Sequence, residues 1–143
     1  MTIAKVLLVD DERPFVETMV KRLKKRDLEL VTAFNGNDAL NRLEEDGDFE
    51  VVILDIKMPV MDGMEALSRI KSKHPLVEVI MLTGHATVET GIEGMKKGAF
   101  DYLMKPCDAN HLIEKVTEAA ARKRKQEEKI MEARVKAITL RRA

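Results

Sequence analysis

The sequence has few features of secreted, membrane or disulfide-stabilised proteins. Its single cysteine, Cys107, excludes an internal disulfide. The longest apolar runs, such as residues 51–54, are far shorter than the roughly 18 residues that a transmembrane helix needs. Asp10 and Asp11 interrupt the first apolar run, which argues against a signal peptide. Aromatic residues make up only 3% of the chain, and tryptophan is absent. We therefore expect a cytoplasmic domain that does not contact the membrane.

The chain also has no net charge, because 25 Lys and Arg balance 25 Asp and Glu. This balance argues against a wholly basic nucleic-acid-binding protein and against an acidic disordered one. It conceals an asymmetry, since residues 110–143 hold 10 basic and 5 acidic side chains and residues 1–109 hold 15 and 20. The length of 143 residues suits one folded domain. We expect an acidic globule with a basic C-terminal segment, and no direct nucleic-acid binding by the globule.

Short aliphatic runs alternate with amphipathic segments along the first 105 residues. The predicted strands are Ala4–Val9, Leu28–Phe34, Val51–Leu54, Val77–Leu82 and Phe100–Met104. Apolar residues at helical spacing lie between them, and Asn35-Gly36 is read as the end of the second strand. A strand–helix unit repeated five times predicts a doubly wound α/β fold with a five-stranded parallel sheet.

The C-terminal segment predicts one long helix. Asp108 is a suitable N-cap, and no glycine or proline occurs from there to the end of the chain. We predict a domain over residues 1–122 and a helical extension or linker over 123–143. An imperfect heptad pattern between Leu112 and Leu140 leaves two alternatives open, a homodimeric coiled coil and a solvated linker helix.

Polar residues follow four of the predicted strands. Asp10 and Asp11 follow the first strand, Asp55 the third, Thr83 the fourth and Lys105 the fifth. Because the carboxyl ends of parallel strands meet at one edge of a sheet, we expect these side chains to cluster. Three clustered carboxylates repel one another unless a cation lies among them. A site with oxygen ligands alone favours Mg²⁺.

The same cluster predicts phosphoryl chemistry. A metal ion held by few carboxylates keeps open positions that a phosphoryl group can occupy. Lys105 and Thr83 would provide a positive charge and a hydrogen bond to the phosphoryl oxygens. Asp55, ionised at neutral pH, needs no general base to attack phosphorus. The residues therefore predict phosphorylation of an aspartate.

Three segments resemble the receiver domain of bacterial two-component response regulators. They are residues 6–12 (VLLVDDE), 53–63 (ILDIKMPVMDG) and 97–106 (KGAFDYLMKP). The similarity extends over about residues 3–122 in order and spacing. It implies a flavodoxin-like fold with strand order 2-1-3-4-5, and a signalling domain rather than an enzyme. It also implies that Asp55 accepts a phosphoryl group from a sensor histidine kinase or a phosphotransfer protein.

The resemblance also implies a metal site. Asp11, Asp55 and the backbone carbonyl of Lys57 would bind Mg²⁺ directly. Asp10 would help to position the metal through its water.

A conformational switch is implied by the same resemblance. Thr83 matches the switch hydroxyl, Lys105 the phosphate-binding lysine and Tyr102 the aromatic switch residue. Thr83 would move toward the phosphoryl group, and Tyr102 would turn into the space that this opens. The face formed by the fourth helix, the fifth strand and the start of the last helix would then contact a partner or a second receiver.

Other functions fit the residues less well. A phosphatase or phosphotransferase of the haloacid dehalogenase type would need Asp-x-Asp after a strand, and Lys57 stands at the second position. A flavin-binding module would need a Ser-, Thr- or Gly-rich loop where this chain has an acidic one. A scaffold that only binds other proteins, with a site that has lost its chemistry, would not be expected to keep Asp11, Asp55, Thr83 and Lys105 together. A stand-alone receiver and a part of a longer regulator both stay open.

Overall fold

The computed structural model describes residues 2–142, so Met1 and Ala143, the ends of the two predicted domain ranges, lie outside the described residues. Strands and helices alternate throughout this part of the chain. In order, they are β1 (Ala4–Val9), α1 (Arg13–Lys24), β2 (Leu28–Ala33), α2 (Gly36–Glu45), β3 (Val51–Leu54), α3 (Gly63–Lys73), β4 (Glu78–Thr83), α4 (Val88–Lys96), β5 (Asp101–Met104) and α5 (Ala109–Arg142).

The five strands form one parallel sheet in the order β2-β1-β3-β4-β5. This confirms the predicted fold class and the strand order that the resemblance implied. The chain passes from β1 to β2 on one side and then crosses back to β3 on the other side of β1, so the strand order reverses between β1 and β3. In parallel α/β sheets, ligands bind beyond the carboxyl ends of the strands at such a reversal. The fold therefore places the residues after β1 and β3 at the expected position of a site.

Two apolar layers cover the two faces of the sheet. Every residue of β3 and β4 is buried, as expected for strands that pack against helices on both sides. One layer joins the sheet to α1 and α5 through Val16, Leu23, Leu112 and Val116. The opposite layer contains Leu40 and Leu43 of α2 and Leu67 and Ile70 of α3. Burying one such side chain contributes about 1.5–3 kcal/mol, so these layers hold the strand ends in place.

Asparagine and glycine mark two boundaries between strands, loops and helices. β2 ends at Ala33, just before Asn35-Gly36 as predicted, and the same pair also starts α2, because the Asn35 side chain caps the helix by accepting from Asp38 N at 2.8 Å. Gly98 follows α4 with a φ of +100°, a conformation that favours glycine at the end of a helix. The pair Asn35-Gly36 thus has two roles, because Asn suits both a turn and a helix cap.

The basic run that starts the predicted extension contacts the amino ends of the strands. Arg122 Nε lies 3.0 Å from Glu78 Oε2, at the start of β4. Arg124 lies 2.6 Å from Glu50 and also donates to the carbonyl of Ile3. α5 then continues beyond the globule with exposed side chains. Two ion pairs with the acidic globule therefore join the start of this basic run to the amino ends of β3 and β4. No helix within residues 2–142 combines the length and the apolar character needed to cross a membrane.

Gly63 supports the loop between β3 and α3 by a close backbone approach. Its amide donates to the carbonyl of Ile56 at 2.6 Å, and a Cβ at this position would lie 2.0 Å from the carbonyl oxygen of Asp55. We expect Gly63→Ala to lower the free energy of unfolding by about 2–3 kcal/mol, because backbone has to move to relieve the overlap. Urea denaturation measures this loss.

Gly47→Ala is the matched control for this substitution. A Cβ at Gly47 would meet no atom within 4 Å. We expect this variant to be unchanged or more stable by up to about 1 kcal/mol. Equal stabilities of the two variants would contradict the proposed close approach at Gly63.

Candidate functional site

The site lies where β1 and β3 end side by side. Asp55 N donates to the carbonyl of Val9 at 3.1 Å, and Asp10 N donates to the carbonyl of Ala33 at the same distance. These backbone bonds continue the pairing of the parallel strands by one residue. Asp10 and Asp55 are consequently almost completely buried, with exposures of 1% and 2%. The fold itself therefore holds two carboxylates next to each other at the sheet edge.

Asp11 completes a cluster of three carboxylates. One oxygen each of Asp10, Asp11 and Asp55 lies within 4.8 Å of the others, and only Asp11 is exposed. An all-oxygen set of this kind matches the ligands that Mg²⁺ prefers, and two buried anions favour a cation between them. Lys57, the fourth predicted contributor, lies in the exposed loop after β3. The residues present therefore fit a hard divalent cation.

Lys105 reaches this cluster from the far edge of the sheet. Its backbone N donates to the carbonyl of Thr83 at 2.9 Å. Its side chain extends across the ends of β4 and β3, so that Nζ donates to Asp10 Oδ2 at 2.7 Å and lies 3.7 Å from Asp55 Oδ2. The structure thus brings together the lysine and the carboxylates that the sequence predicted to cluster.

Two neighbours of Lys105 were not predicted as site residues. Glu12 Oε1 accepts from Lys105 Nζ at 3.2 Å, and the centroid of the Phe15 ring lies 4.0 Å from the same nitrogen. Glu12 ends the motif of residues 6–12, and its position directly after Asp10 and Asp11 is the one sequence feature that could have placed it at the site. No sequence signal points to Phe15, because a single aromatic residue on a helix gives no indication of the cation that it faces.

Burial and ion pairing shift the pKa of Asp10 in opposite directions, and the same holds for the pKa of Lys105. Burial raises the pKa of Asp10, and the hydrogen bonds from Lys105 and from Glu12 N offset this only in part. Burial acts to lower the pKa of Lys105, but the hydrogen bond and charge of Asp10 outweigh it, so that the pKa is raised. The ammonium group therefore stays charged at neutral pH. One lysine leaves the buried carboxylates undercompensated, which favours binding of a further cation.

The two predicted switch residues have different partners. Thr83 is fully buried, and its Oγ1 accepts from His85 N at 3.1 Å. Tyr102 is half-buried at the α4 side of β5, and its hydroxyl lies 2.5 Å from Thr90 Oγ1. Its ring packs on α4 where glycine leaves space, since a Cβ on Gly91 would lie 3.6 Å from the ring. Tyr102 is therefore linked to α4 by both its hydroxyl and its ring.

Thr90 also belongs to the N-terminal cap of α4. Thr87 N donates to Thr90 Oγ1 at 3.0 Å, and Thr90 N donates to Thr87 Oγ1 at 3.1 Å. This reciprocal pair is a capping box, which satisfies backbone donors at the start of the helix. The Thr90 hydroxyl thus joins the cap of α4 to Tyr102, a contact that sequence reasoning missed although the Thr-x-x-Thr spacing indicates the cap.

Comparison with known proteins identifies a family that shares this arrangement. The family model described as the response regulator receiver domain matches residues 6–117. The chain is 40% identical over 118 residues to the chemotaxis protein CheY of Listeria monocytogenes, covering 81% of this chain and 98% of that protein. A crystal structure of a response regulator receiver domain protein from Clostridium thermocellum superimposes with a TM-score of 0.80 at 38% identity, covering 85% of this chain and 97% of that one.

Longer regulators contain a similar segment. The chain is 34% identical over 119 residues to the transcriptional regulatory protein ZraR of Salmonella typhimurium, covering 83% of this chain. It spans only 27% of the length of that protein. The chain therefore corresponds to about a quarter of these curated relatives.

The link between Tyr102 and the α4 cap gives a testable prediction. We expect Thr90→Val to lower the free energy of unfolding by about 1 kcal/mol, because the cap loses its acceptor for Thr87 N. NMR should also show faster flipping of the Tyr102 ring. The control is Thr117→Val on α5, whose hydroxyl bonds only to the carbonyl of Ile113. If both variants lose the same stability and leave the ring unchanged, Thr90 does not link the two elements.

Proposed function

The chain belongs to the response regulator receiver family, signalling domains of two-component systems, and from this premise we propose that Asp55 accepts a phosphoryl group. The donor is a phosphohistidine on a sensor histidine kinase or on a phosphotransfer protein. The observation that carries the proposal is the approach of Lys105 Nζ to within 3.7 Å of the buried Asp55 carboxylate. A positive charge at this distance is placed to bind the oxygens of a phosphoryl group on Asp55.

The two carboxylate oxygens of Asp55 have different surroundings. Oδ1 accepts from Ile56 N at 2.8 Å, whereas Oδ2 is the oxygen nearer to Lys105. We assign Oδ2 as the attacking atom. It forms the bond to phosphorus while the phosphorus–nitrogen bond to the donor histidine breaks, and the released imidazole can take a proton from water. An ionised carboxylate needs no base for this attack.

The metal site forms part of this proposal. Asp10, Asp11 and Asp55, with the backbone carbonyl of Lys57, would hold Mg²⁺, the cation that their oxygen atoms suit. When bound, Mg²⁺ would neutralise charge on the phosphoryl oxygens. Thr83 would donate a hydrogen bond from its hydroxyl to the same group, because its oxygen accepts from His85 N and its O–H can point toward the phosphoryl group.

The switch forms the third part of the proposal. Thr83 lies one strand away from Tyr102, and Tyr102 is bonded to Thr90 at the start of α4. Movement of Thr83 toward the phosphoryl group would let Tyr102 turn, and the α4 cap would lose a bond. The face that α4 and β5 present would then change. It is apolar and open, with Val88 80% exposed and Ile92 and Met104 also exposed.

A second copy of the chain is the partner that we propose for this apolar surface or for the end of α5. Residues 1–122 would act as the receiver and 123–143 as its helical extension. The extension exposes Met131, Val135 and Ile138 at a spacing that places them on one side of the helix. Such side chains are usually covered in a helix pair. Homodimerisation would cover either surface.

The phosphorylation proposal is tested by intact mass. After incubation with Mg²⁺ and acetyl phosphate, we expect one added phosphoryl group on the wild type and none on Asp55→Asn, because the amide is not a nucleophile. Lys105→Met should slow the reaction at least tenfold, since it removes the charge beside Asp55. Phosphorylation that persists in Asp55→Asn would contradict the assignment of the acceptor.

The requirement for Mg²⁺ is tested by the same mass measurement. We expect EDTA to abolish phosphorylation, and Asp11→Asn to require a much higher Mg²⁺ concentration than the wild type. Asp48→Asn, an acidic residue exposed at the opposite end of the sheet, is the matched control and should behave as the wild type. Full phosphorylation of the wild type in EDTA would exclude a role for Mg²⁺.

Dimerisation is tested by sedimentation with and without beryllium fluoride, a mimic of the phosphoryl group. We expect the mimic to shift the chain toward a dimer, because the switch alters the α4–β5 face. Ile92→Glu should prevent the shift if that face is used, and Val135→Glu should prevent it if the end of α5 is used. A chain that stays monomeric under both conditions would contradict the dimer.

A further inference from the structure

The ammonium group of Lys105 lies against an aromatic ring as well as among carboxylates. Its Nζ is 4.0 Å from the centroid of the Phe15 ring. We propose that Phe15 is a positioning residue for phosphoryl transfer, and that its ring holds the Lys105 ammonium group beside Asp55. This inference rests on the proposed function, and it assigns a role to a residue outside the predicted metal, acceptor and switch sets.

The surroundings of Lys105 explain why a ring suits this position. Asp10 and Glu12 already accept hydrogen bonds from the ammonium group, and the Lys105 side chain is only 12% exposed. The face of an aromatic ring attracts a cation without carrying a formal charge. A further carboxylate would instead compete with the incoming phosphoryl group for the same ammonium. Phe15 therefore stabilises the cation and leaves it available to a new anion.

The helix that carries Phe15 is firmly placed. Phe15 lies in the first turn of α1, directly after Pro14, and the next residue, Val16, is buried against the sheet. Lysine has a long flexible side chain whose ordering costs conformational entropy. A ring fixed on a packed helix restricts the positions that the ammonium group can take. Lys105 is thereby held near the reacting carboxylate before the phosphoryl group arrives.

The chain provides a matched contact away from the site. The guanidinium carbon of Arg13, on the same helix as Phe15, lies 4.0 Å from the centroid of the ring of Phe34, the residue after β2, which makes a second cation–aromatic pair. Neither of these residues belongs to the carboxylate cluster. Phe34→Leu therefore removes the same kind of interaction and the same amount of ring surface without touching Lys105.

The kinetic test compares three variants of the full chain in Mg²⁺ and acetyl phosphate. We expect Phe15→Leu to be phosphorylated about three- to tenfold more slowly than the wild type, in line with the strength of a partly desolvated cation–aromatic contact. Phe15→Tyr keeps the ring and should react at least about threefold faster than the leucine variant. Phe34→Leu should react at the wild-type rate. Thermal unfolding of each variant checks that it is folded.

A double-substitution cycle separates positioning from a general effect on α1. If Phe15 acts through the ammonium group, Phe15→Leu should have no further effect in a Lys105→Met background. If it only shapes the helix, it should slow both backgrounds by the same factor. An equal factor in both backgrounds would overturn the proposal.

A spectroscopic readout tests the contact without phosphoryl transfer. The ring should shift the NMR signals of the Lys105 ε-methylene protons upfield, and Phe15→Leu should remove this shift while Phe34→Leu preserves it. Absence of a shift in the wild type would overturn the inference. The two hypotheses also fail differently, because an unphosphorylated wild type contradicts the proposed function, whereas a wild type and a Phe15→Leu variant with equal rates contradict only the role of Phe15.

Discussion

The arrangement of the site depends on one electrostatic constraint, the burial of Asp10 and Asp55 side by side at the carboxyl edge of the sheet. Strand pairing fixes both residues, so that neither can move into water to relieve their repulsion. Lys105 supplies the only ammonium group recorded within 4 Å of both carboxylates in residues 2–142. One positive charge against two buried negative charges leaves a deficit that a divalent cation would remove.

Hydrogen bonds and strand pairing connect the site to the rest of the domain. Lys105 is bonded through its backbone to Thr83, and Thr83 ends the strand that pairs with β5. Tyr102 lies on β5 and shares the Thr90 hydroxyl with the cap of α4. A change in the position of Lys105 or Thr83 would therefore act on the end of the strand pair that also holds Tyr102. The short chain of contacts gives a physical path from the carboxylates to the exposed surface of α4.

The sequence predicts those features that depend on local pattern and on the rules of parallel sheets. Aliphatic runs predict the strands, and the shared edge of a parallel sheet predicts that Asp10, Asp55 and Lys105 meet. Phe15 and Thr90 were not predicted as partners, because their contacts depend on how α1 and α4 pack on the sheet. Periodicity shows which side of a helix is apolar, but it does not show which polar atom a side chain will reach. Residues that support the site are accordingly harder to infer than those that form it.

At the opposite edge of the sheet, acidic side chains at the starts of two strands are again paired with basic ones, here from α5. Glu50 and Glu78 lie at the amino ends of β3 and β4, and Arg122 and Arg124 of α5 pair with them. These pairs explain why an acidic globule and a basic helix occur in a chain without net charge. The first turns of α5 also pack on the sheet through Leu112, Val116 and Ala119, so the direction in which α5 leaves the globule is set by buried packing together with these pairs.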